Sequence, residues 1–303
     1  LLGVRFDTRC YEPLIDHGLF SRESYIMKGG NQAVNSNKAE TKENYLNQTL
    51  MNGLKILEQF NENNSKLGIN ELEKTIDLNK SSVWRLIYTL EYLGYLKKVP
   101  EEEKYTLGFE GLKFAKIILN RLKIRGIALP YLEDLSAELN LSVNLCVMEN
   151  DEAILIATAS APDIPDNYFH VGRVFPLYCS SSGKVLLANL PEEDKNSIIE
   201  NLELRQLTPN TITDKNKLKK HLNQIVKTGY AVDNEEYLPG TKCLAFPIKN
   251  NTGQVIASIS VSNRKLNLLE EFDVSQYLDN VSKIANKISH ELGYGLYDPL
   301  GSN

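Results

Sequence analysis

Between residues 69 and 96 apolar positions recur at the three-and-four spacing of helices. Leu72 and Ile76 mark the inward side of a short helix, and Val83, Leu86, Ile87, Leu90 and Leu93 that of a longer one. Asn70, with Glu73 three residues on, predicts a capping box at the first start. Asp77, Leu78 and Asn79 leave room only for a tight turn, and Asn79 or Ser81 is placed to cap the second helix. Gly94 then suits the residue just past a helix end. Residues 95–99 and 104–107 alternate as two strands around the polar turn 100–103. Short helix, turn, long helix and hairpin make a winged helix-turn-helix. Upstream, Leu50, Leu54, Leu57 and Phe60 predict the first helix of the same domain.

Past the wing, Leu112, Ala115, Leu119 and Leu122 form one stripe over 109–124, widened by Phe114, Ile117 and Ile118. A helix apolar on more than one side predicts packing on the winged domain and on a partner subunit. Pro130 reads as the first residue of a further helix carrying Leu132, Leu135 and Leu139 inward. The pattern then changes to strand-length runs at 143–148, 153–158, 243–248 and 254–262. Helices are predicted between them at 183–189, 192–202 and 215–228, and a long one over 274–292 closes the chain. Mixed runs of strands and helices predict an α+β fold. Residues 1–43 lack apolar periodicity, and Met27 opens a polar run. They are expected to be a disordered or non-native extension with Met27 as the natural start, and 294–303 a short tail.

The face of the 80–93 helix opposite its apolar stripe carries Ser81, Arg85, Tyr88 and Tyr92, with Lys80, Ser82, Trp84 and Thr89 on the flanks. Hydroxyls, a guanidinium and an amine suit base edges and phosphates. Segment 45–107 has eight Lys or Arg against nine Asp or Glu, so its total charge does not mark a nucleic-acid binder. Distribution does more: between Asn79 and Lys98, Lys80, Arg85, Lys97 and Lys98 face the single Glu91. The predicted DNA-binding residues are therefore Lys80, Ser81, Ser82, Trp84, Arg85, Thr89, Lys97 and Lys98. Double-stranded DNA is the expected partner, with two copies on a pseudo-palindrome.

Composition narrows the class. With 303 residues, 42% hydrophobic and 24% charged, the chain has room for two cores, and no run approaches a membrane span. A net charge of −5 does not exclude a basic DNA face. Cys10, Cys146, Cys179 and Cys243 lie far apart with no C-x-x-C pair, which predicts reduced thiols in a cytoplasm, with no metal and no cofactor.

Several separated motifs now coincide: Gly53-Leu54-Lys55-Ile56-Leu57-Glu58, Leu78 to Leu86, Gly94-Tyr95-Leu96, Gly172, Pro176-Leu177, Ser180 to Lys184, Thr208 to Thr213, Gly229-Tyr230-Ala231, Asp233 to Glu236, and Cys243-Leu244-Ala245. In that order and spacing the chain resembles IclR-type bacterial transcriptional regulators over residues 45–293. The resemblance implies a winged helix-turn-helix DNA-binding domain at 44–107, a linker helix at 108–126 and a GAF-like α/β effector-binding domain at 127–293. It further implies a dimer or tetramer, more often a repressor, controlled by a small carboxylate. In the family, positions matching Ser181, Ser182, Asp233, Cys243, Ser260 and Ser262 line the effector pocket, and Phe175 is expected to add an apolar wall. Two physical points agree with that implication. Ser180 to Gly183 precedes a helix, where free N–H groups and hydroxyls can hold an anion. Ser260 and Ser262, two apart on one strand, share a face.

Two other readings are open to the same residues. Cys179 or Cys243 with Asp233 and His170 or His221 would suggest a thiol hydrolase, and the helix-turn-helix could serve protein contacts alone.

Overall fold

The computed structural model describes residues 45–295 apart from 62–63, 77, 161–168 and 264–272. The expectations for 1–43, for Asp77 in the turn and for the tail beyond 295 lie outside the described residues. Contacts divide the chain into two units between Ile118 and Leu119.

The first unit contains α1 (Gln48–Glu58), β1 (Leu67–Gly68), α2 (Ile69–Thr75), α3 (Lys80–Tyr92), β2 (Leu96–Lys98) and β3 (Lys104–Leu107). Its antiparallel sheet runs β1-β3-β2. Ile56, Phe60, Leu72, Ile76, Val83, Ile87, Leu96 and Tyr105 fill one small core. Asn79 caps α3, its side chain accepting from the Ser82 N–H at 2.9 Å. Gly94 takes φ +80° and lets the Tyr95 N–H reach back to Leu90 O at 2.8 Å, closing the helix. The cap of α2 differs from expectation. Gly68 precedes the helix and Glu71 accepts its N–H at 2.7 Å, so Asn70 and Glu73 lie inside the helix. The cause is β1: Leu67 and Gly68 pair with Tyr105 and Lys104, which fixes where the chain must turn into the helix.

The expected 109–124 helix is α4 (Glu110–Arg121), and Leu122, with ψ 93°, breaks it from α5 (Lys123–Leu139). None of the residues of α4 is buried in this chain, although Phe114 stacks on Tyr95 with ring centroids 6.3 Å apart. Pro130 does not start a helix; it lies inside α5. Ile124, Ala128, Leu132 and Leu135 form one buried stripe that runs past it. Burying four side chains outweighs the roughly 3 kcal/mol that an interior proline costs, and Gly126, whose carbonyl meets the ring, carries no side chain to add to the crowding.

The second unit continues with β4 (Ser142–Glu149), β5 (Glu152–Ala159), β6 (Val174–Pro176), α6 (Ser181–Ala188), α7 (Glu192–Asn201), α8 (Lys215–Thr228), β7 (Ala231–Asn234), β8 (Lys242–Lys249) and β9 (Val255–Asn263). A 3-10 turn (Val274–Tyr277) and α9 (Leu278–Glu291) divide the segment expected as one helix. The strands form one antiparallel sheet in the order β6-β5-β4-β9-β8-β7. Strand alternation gives the sheet two different faces. Leu145, Leu244, Ile259 and Val261 pack with Leu132 of α5 and Val281 of α9, whereas Cys146, Leu155 and Ala245 pack with Val185 of α6 and Leu222 of α8.

The start of α6 lies hard against the chain that precedes it. A Cβ on Gly183 would come within 2.6 Å of Leu177 Cα and of Pro176 O, both backbone atoms that cannot swing aside. Gly183→Ala is therefore expected to destabilise the second unit by about 1–3 kcal/mol while leaving the first untouched. Hydrogen exchange measured separately over the two units checks this; equal loss of protection in both, or none in either, would contradict it.

Candidate functional site

Two sites can be built, one in each unit. On α3, Lys80, Ser81, Trp84, Arg85 and Thr89 are exposed and Ser82 is half-buried; Lys97 and Lys98 are exposed on β2. Lys80, Arg85 and Lys97 form no ion pair among the described residues, while Lys98 lies 3.5 Å from Glu103 across the wing. Two of the hydroxyls are already engaged. Ser81 donates to Asn79 Oδ1 at 2.7 Å and Thr89 donates to Arg85 O at 2.8 Å, leaving their lone pairs outward. Tyr88 and Tyr92 are also exposed, and Trp84 stacks on Tyr88. The arrangement is a helix that exposes two stacked rings beside Lys80 and Arg85, cations that have no ion-pair partner among the described residues.

The second site follows from sheet register. Asp233 on β7 pairs with Cys243 on β8, Cys243 with Ser262 on β9, and Ser262 with Ser142 on β4. One step along, Ala245 pairs with Ser260 and Ser260 with Asn144, whose Oδ1 accepts from Thr158 at 2.9 Å. All point to the α6 side. A slip of one residue in β9 would turn both serines to the α5 face. Above this polar row α6 begins. Ser180 caps it by accepting from the Gly183 N–H at 3.1 Å, and the N–H groups of Ser181 and Ser182 have no acceptor among the described residues. Ser182 donates to Ser260 Oγ at 3.1 Å.

Phe175, Ser181, Ser182, Asp233, Cys243, Ser260 and Ser262, the seven residues expected here, line one cavity. Ser180, part of the expected helix start, also lines it, and Asn144, Phe169, Tyr237 and Thr241, which sequence reading did not single out, complete it. Period-2 spacing could have found Asn144 beside Cys146 and Thr241 beside Cys243. The cavity is narrow, about 20 Å³, room for about one water. One wall is aromatic: Phe175 lies edge-on to Tyr237 at 5.8 Å and 6.4 Å from Phe169. The buried Thr241 hydroxyl has no hydrogen-bond partner among the described residues.

Behind the cavity, Lys184 of α6 is 0% exposed. Its ammonium donates to Val232 O at 2.7 Å and to Glu236 Oε1, and lies 3.4 Å from His221 Nε2 on α8. Asp233 accepts from the N–H of Glu236 at 2.7 Å and of Tyr237 at 3.3 Å. Burial nonetheless raises its pKa to about 7, with Glu236 adding to the rise and Lys184 opposing it. Burial, and then Lys184, lowers His221 to about 4. Cys146 and Cys179 are pushed up to about 12 and Cys243 is pushed up as well, in each case chiefly by burial. A hydrolase would need a thiolate near neutrality, and none of these three is poised to be one.

Asp233 and His221 bend stability against pH in opposite senses. Between about pH 4 and 7 the folded state holds the Asp233 proton that the unfolded chain has lost, so stability falls as pH rises. Over about pH 4 to 6.5 the unfolded chain holds the His221 proton that the folded state lacks, so stability rises. Asp233→Asn should therefore gain stability relative to the unsubstituted protein from pH 4 to 7, and His221→Gln should lose it. Urea unfolding at pH intervals tests both; curves parallel to the parent would contradict the assignment.

Among known proteins, the model of the IclR helix-turn-helix domain matches residues 49–100, and that of the bacterial transcriptional regulator IclR C-terminal domain matches 116–290, more than half the chain. The regulator XynR of Escherichia coli is 29% identical over 247 residues, covering 82% of this chain and 98% of that protein. The repressor AllR of E. coli is 29% identical over 246 residues, covering 81% and 90%. The crystal structure of Thermotoga maritima IclR superposes with a TM-score of 0.63 at 29% identity, covering 81% of this chain and 99% of that one. With the DNA-binding and C-terminal models matched in order along a single chain, the protein belongs to the IclR family of bacterial transcriptional regulators.

Proposed function

We propose that this regulator is a cytoplasmic repressor, dimeric or tetrameric, whose hold on operator DNA is set by a small carboxylate bound at the start of α6. The observation that carries the effector assignment is the meeting of two unsatisfied helix N–H groups, at Ser181 and Ser182, with the hydroxyls of Thr241, Ser260 and Ser262 at one cavity. Helix N-termini favour anions, and buried donors without acceptors favour a ligand that supplies them. Asp233 fits the same reading: protonated below about pH 7, it can donate to an anion instead of repelling it. Phe169, Phe175 and Tyr237 would cover the apolar part of such an acid. The raised thiols favour binding over turnover, and the repressor sense is supported by AllR.

The cavity admits about one water, so a larger effector must part its walls, and with α6 held by Lys184 the displacement falls on the aromatic side at Phe169, Phe175 and Tyr237. An effector changes DNA affinity only by preferring one arrangement of the assembly to another. The units are joined through α4, and its exposed Leu112, Phe114, Ile117 and Ile118 supply the face for a two-fold contact. The domain arrangement follows: DNA binding at 44–107, linker at 108–126, effector binding at 127–293.

On the DNA side, Arg85 and Ser81 read bases while Lys80, Lys97 and Lys98 hold phosphate. Lys97→Ala should weaken all sequences alike and flatten the salt dependence by about one counterion, whereas Arg85→Ala should also relax base preference. Affinities for a set of operator variants at several salt concentrations decide this, and equal loss of preference in both variants would refute the division.

On the effector side, Ser182→Asp places a negative charge where the carboxylate belongs. It should abolish the response to candidate acids while keeping operator binding, and Ser260→Ala should weaken the response by about 1 kcal/mol, one hydrogen bond's worth. Operator binding titrated with pyruvate-like, sugar-derived and aromatic acids provides the test; a full response in the Ser182→Asp protein would move the effector site elsewhere.

A further inference from the structure

Trp84 is the chain's one tryptophan. It stands 52% exposed on α3, one turn before Tyr88, which is 58% exposed. Their rings lie nearly parallel, 13° between planes and 5.5 Å between centroids. Neighbours four apart on a helix share a face, so each ring holds the other's rotamer in place before anything binds. Neither the indole N–H nor the phenol O–H has an acceptor among the described residues. The pair is thus a rigid apolar plate with two outward donors at its rim, on the half of the helix that begins with Lys80, Ser81 and Arg85.

The company of these rings identifies what covers them. Lys80, Arg85 and Lys97 have no ion-pair partner among the described residues, so the face complements an anionic surface that must also contain an apolar feature. A duplex major groove meets both needs. Phosphates rim it, and the thymine C5-methyl is the one apolar group that base pairs display on its floor. Ring-on-base stacking is the usual role of an exposed aromatic at a nucleic acid, but it needs an unstacked base, which an intact duplex does not offer.

We propose that Trp84 and Tyr88 together read thymine C5-methyl groups of the operator, at half-site positions adjoining those contacted by Arg85. This rests on the DNA-binding role given to α3 above. It assigns to the aromatic pair a share of the sequence reading that hydrogen-bonding side chains alone would otherwise carry, and it makes the operator of this regulator thymine-bearing at a defined step in each half-site.

The test uses the full chain and duplexes it selects from a random-sequence pool. In the selected duplex each thymidine is replaced in turn by deoxyuridine, which removes the methyl and leaves every hydrogen-bonding group in place. At one or more positions per half-site the replacement should weaken binding about fourfold, the worth of burying one methyl-sized group. The same replacement should leave the affinity of Trp84→Ala unchanged, while Trp84→Phe, which keeps an apolar ring, retains a penalty. Titrating the selected duplex should also quench the emission of Trp84, the single indole in the chain. Equal binding of every uracil-substituted duplex, or a full uracil penalty persisting in Trp84→Ala, would overturn the proposal while leaving DNA binding intact. Failure of the protein to enrich any duplex would overturn the DNA-binding role itself and the proposal with it.

Discussion

The second unit is organised around a buried ammonium. Lys184 has no exposed surface, yet its Nζ contacts Val232 O, Glu236 and His221, tying α6 to β7, to the turn after β7 and to α8. A lone charge in such a place costs several kcal/mol, and removing one partner of a buried pair typically costs 3–5 kcal/mol, so the helix has little freedom to shift over the sheet. The turn that carries Glu236 is fixed from the other side as well. Thr208 and Thr211 donate at 2.6 Å to the carbonyls of Glu235 and Glu236, which accounts for a threonine-bearing segment far away in sequence. Because Lys184 holds α6 from behind, the helix start faces the sheet at a fixed height, and the cavity between them has a defined shape.

Burial around this ammonium also sets the charge of the cavity. One ammonium serves Glu236 directly and Asp233 only at a distance, and burial keeps the second carboxyl protonated up to about pH 7. A site with an ionised aspartate would repel an anion; one with a neutral acid and two free N–H groups can hold it. Hydroxyls dominate the rest of the lining, and they suit either role because they can donate or accept. The proposed anion site thus rests on the buried network as a whole and not on the serines alone.

The first unit depends on much less. A core of eight buried side chains positions α3, and the short strand Leu67–Gly68 fixes where α2 begins. This unit's exposed aromatics, and the cations Lys80, Arg85 and Lys97 that have no ion-pair partner among the described residues, are the groups to which the proposed reading gives DNA contacts.

How much of this was legible in sequence divides along the distance over which the controlling interactions act. The winged helix, the caps at Asn79 and Gly94, the four long strands of the second unit and the exposed set on α3 follow from local spacing, because helix and strand periodicity place side chains within a few residues of one another. Family resemblance supplied the pocket residues, and strand alternation alone explains why Ser260 and Ser262 share a face. Where long-range pairing intervenes, local signals mislead. The capping box at Asn70 lost to a strand pairing with residues about 35 positions away in Tyr105 and Lys104, and Pro130 was absorbed into α5 because a buried stripe on both sides of it outweighed the proline penalty. Asn144 and Thr241 fall at period-2 spacing from Cys146 and Cys243, but the register of β4, β9 and β8 is what brings those strands to one cavity, and the Lys184, Glu236 and His221 cluster joins residues up to 52 apart. Sequence by itself determined the elements whose pattern is local, among them α1, α3, the wing and the four long strands, with the faces they bury; the tertiary structure alone decided the short strands β1, β6 and β7, the start of α5 and which buried polar groups met, because these depend on strand register and helix height that no local pattern encodes.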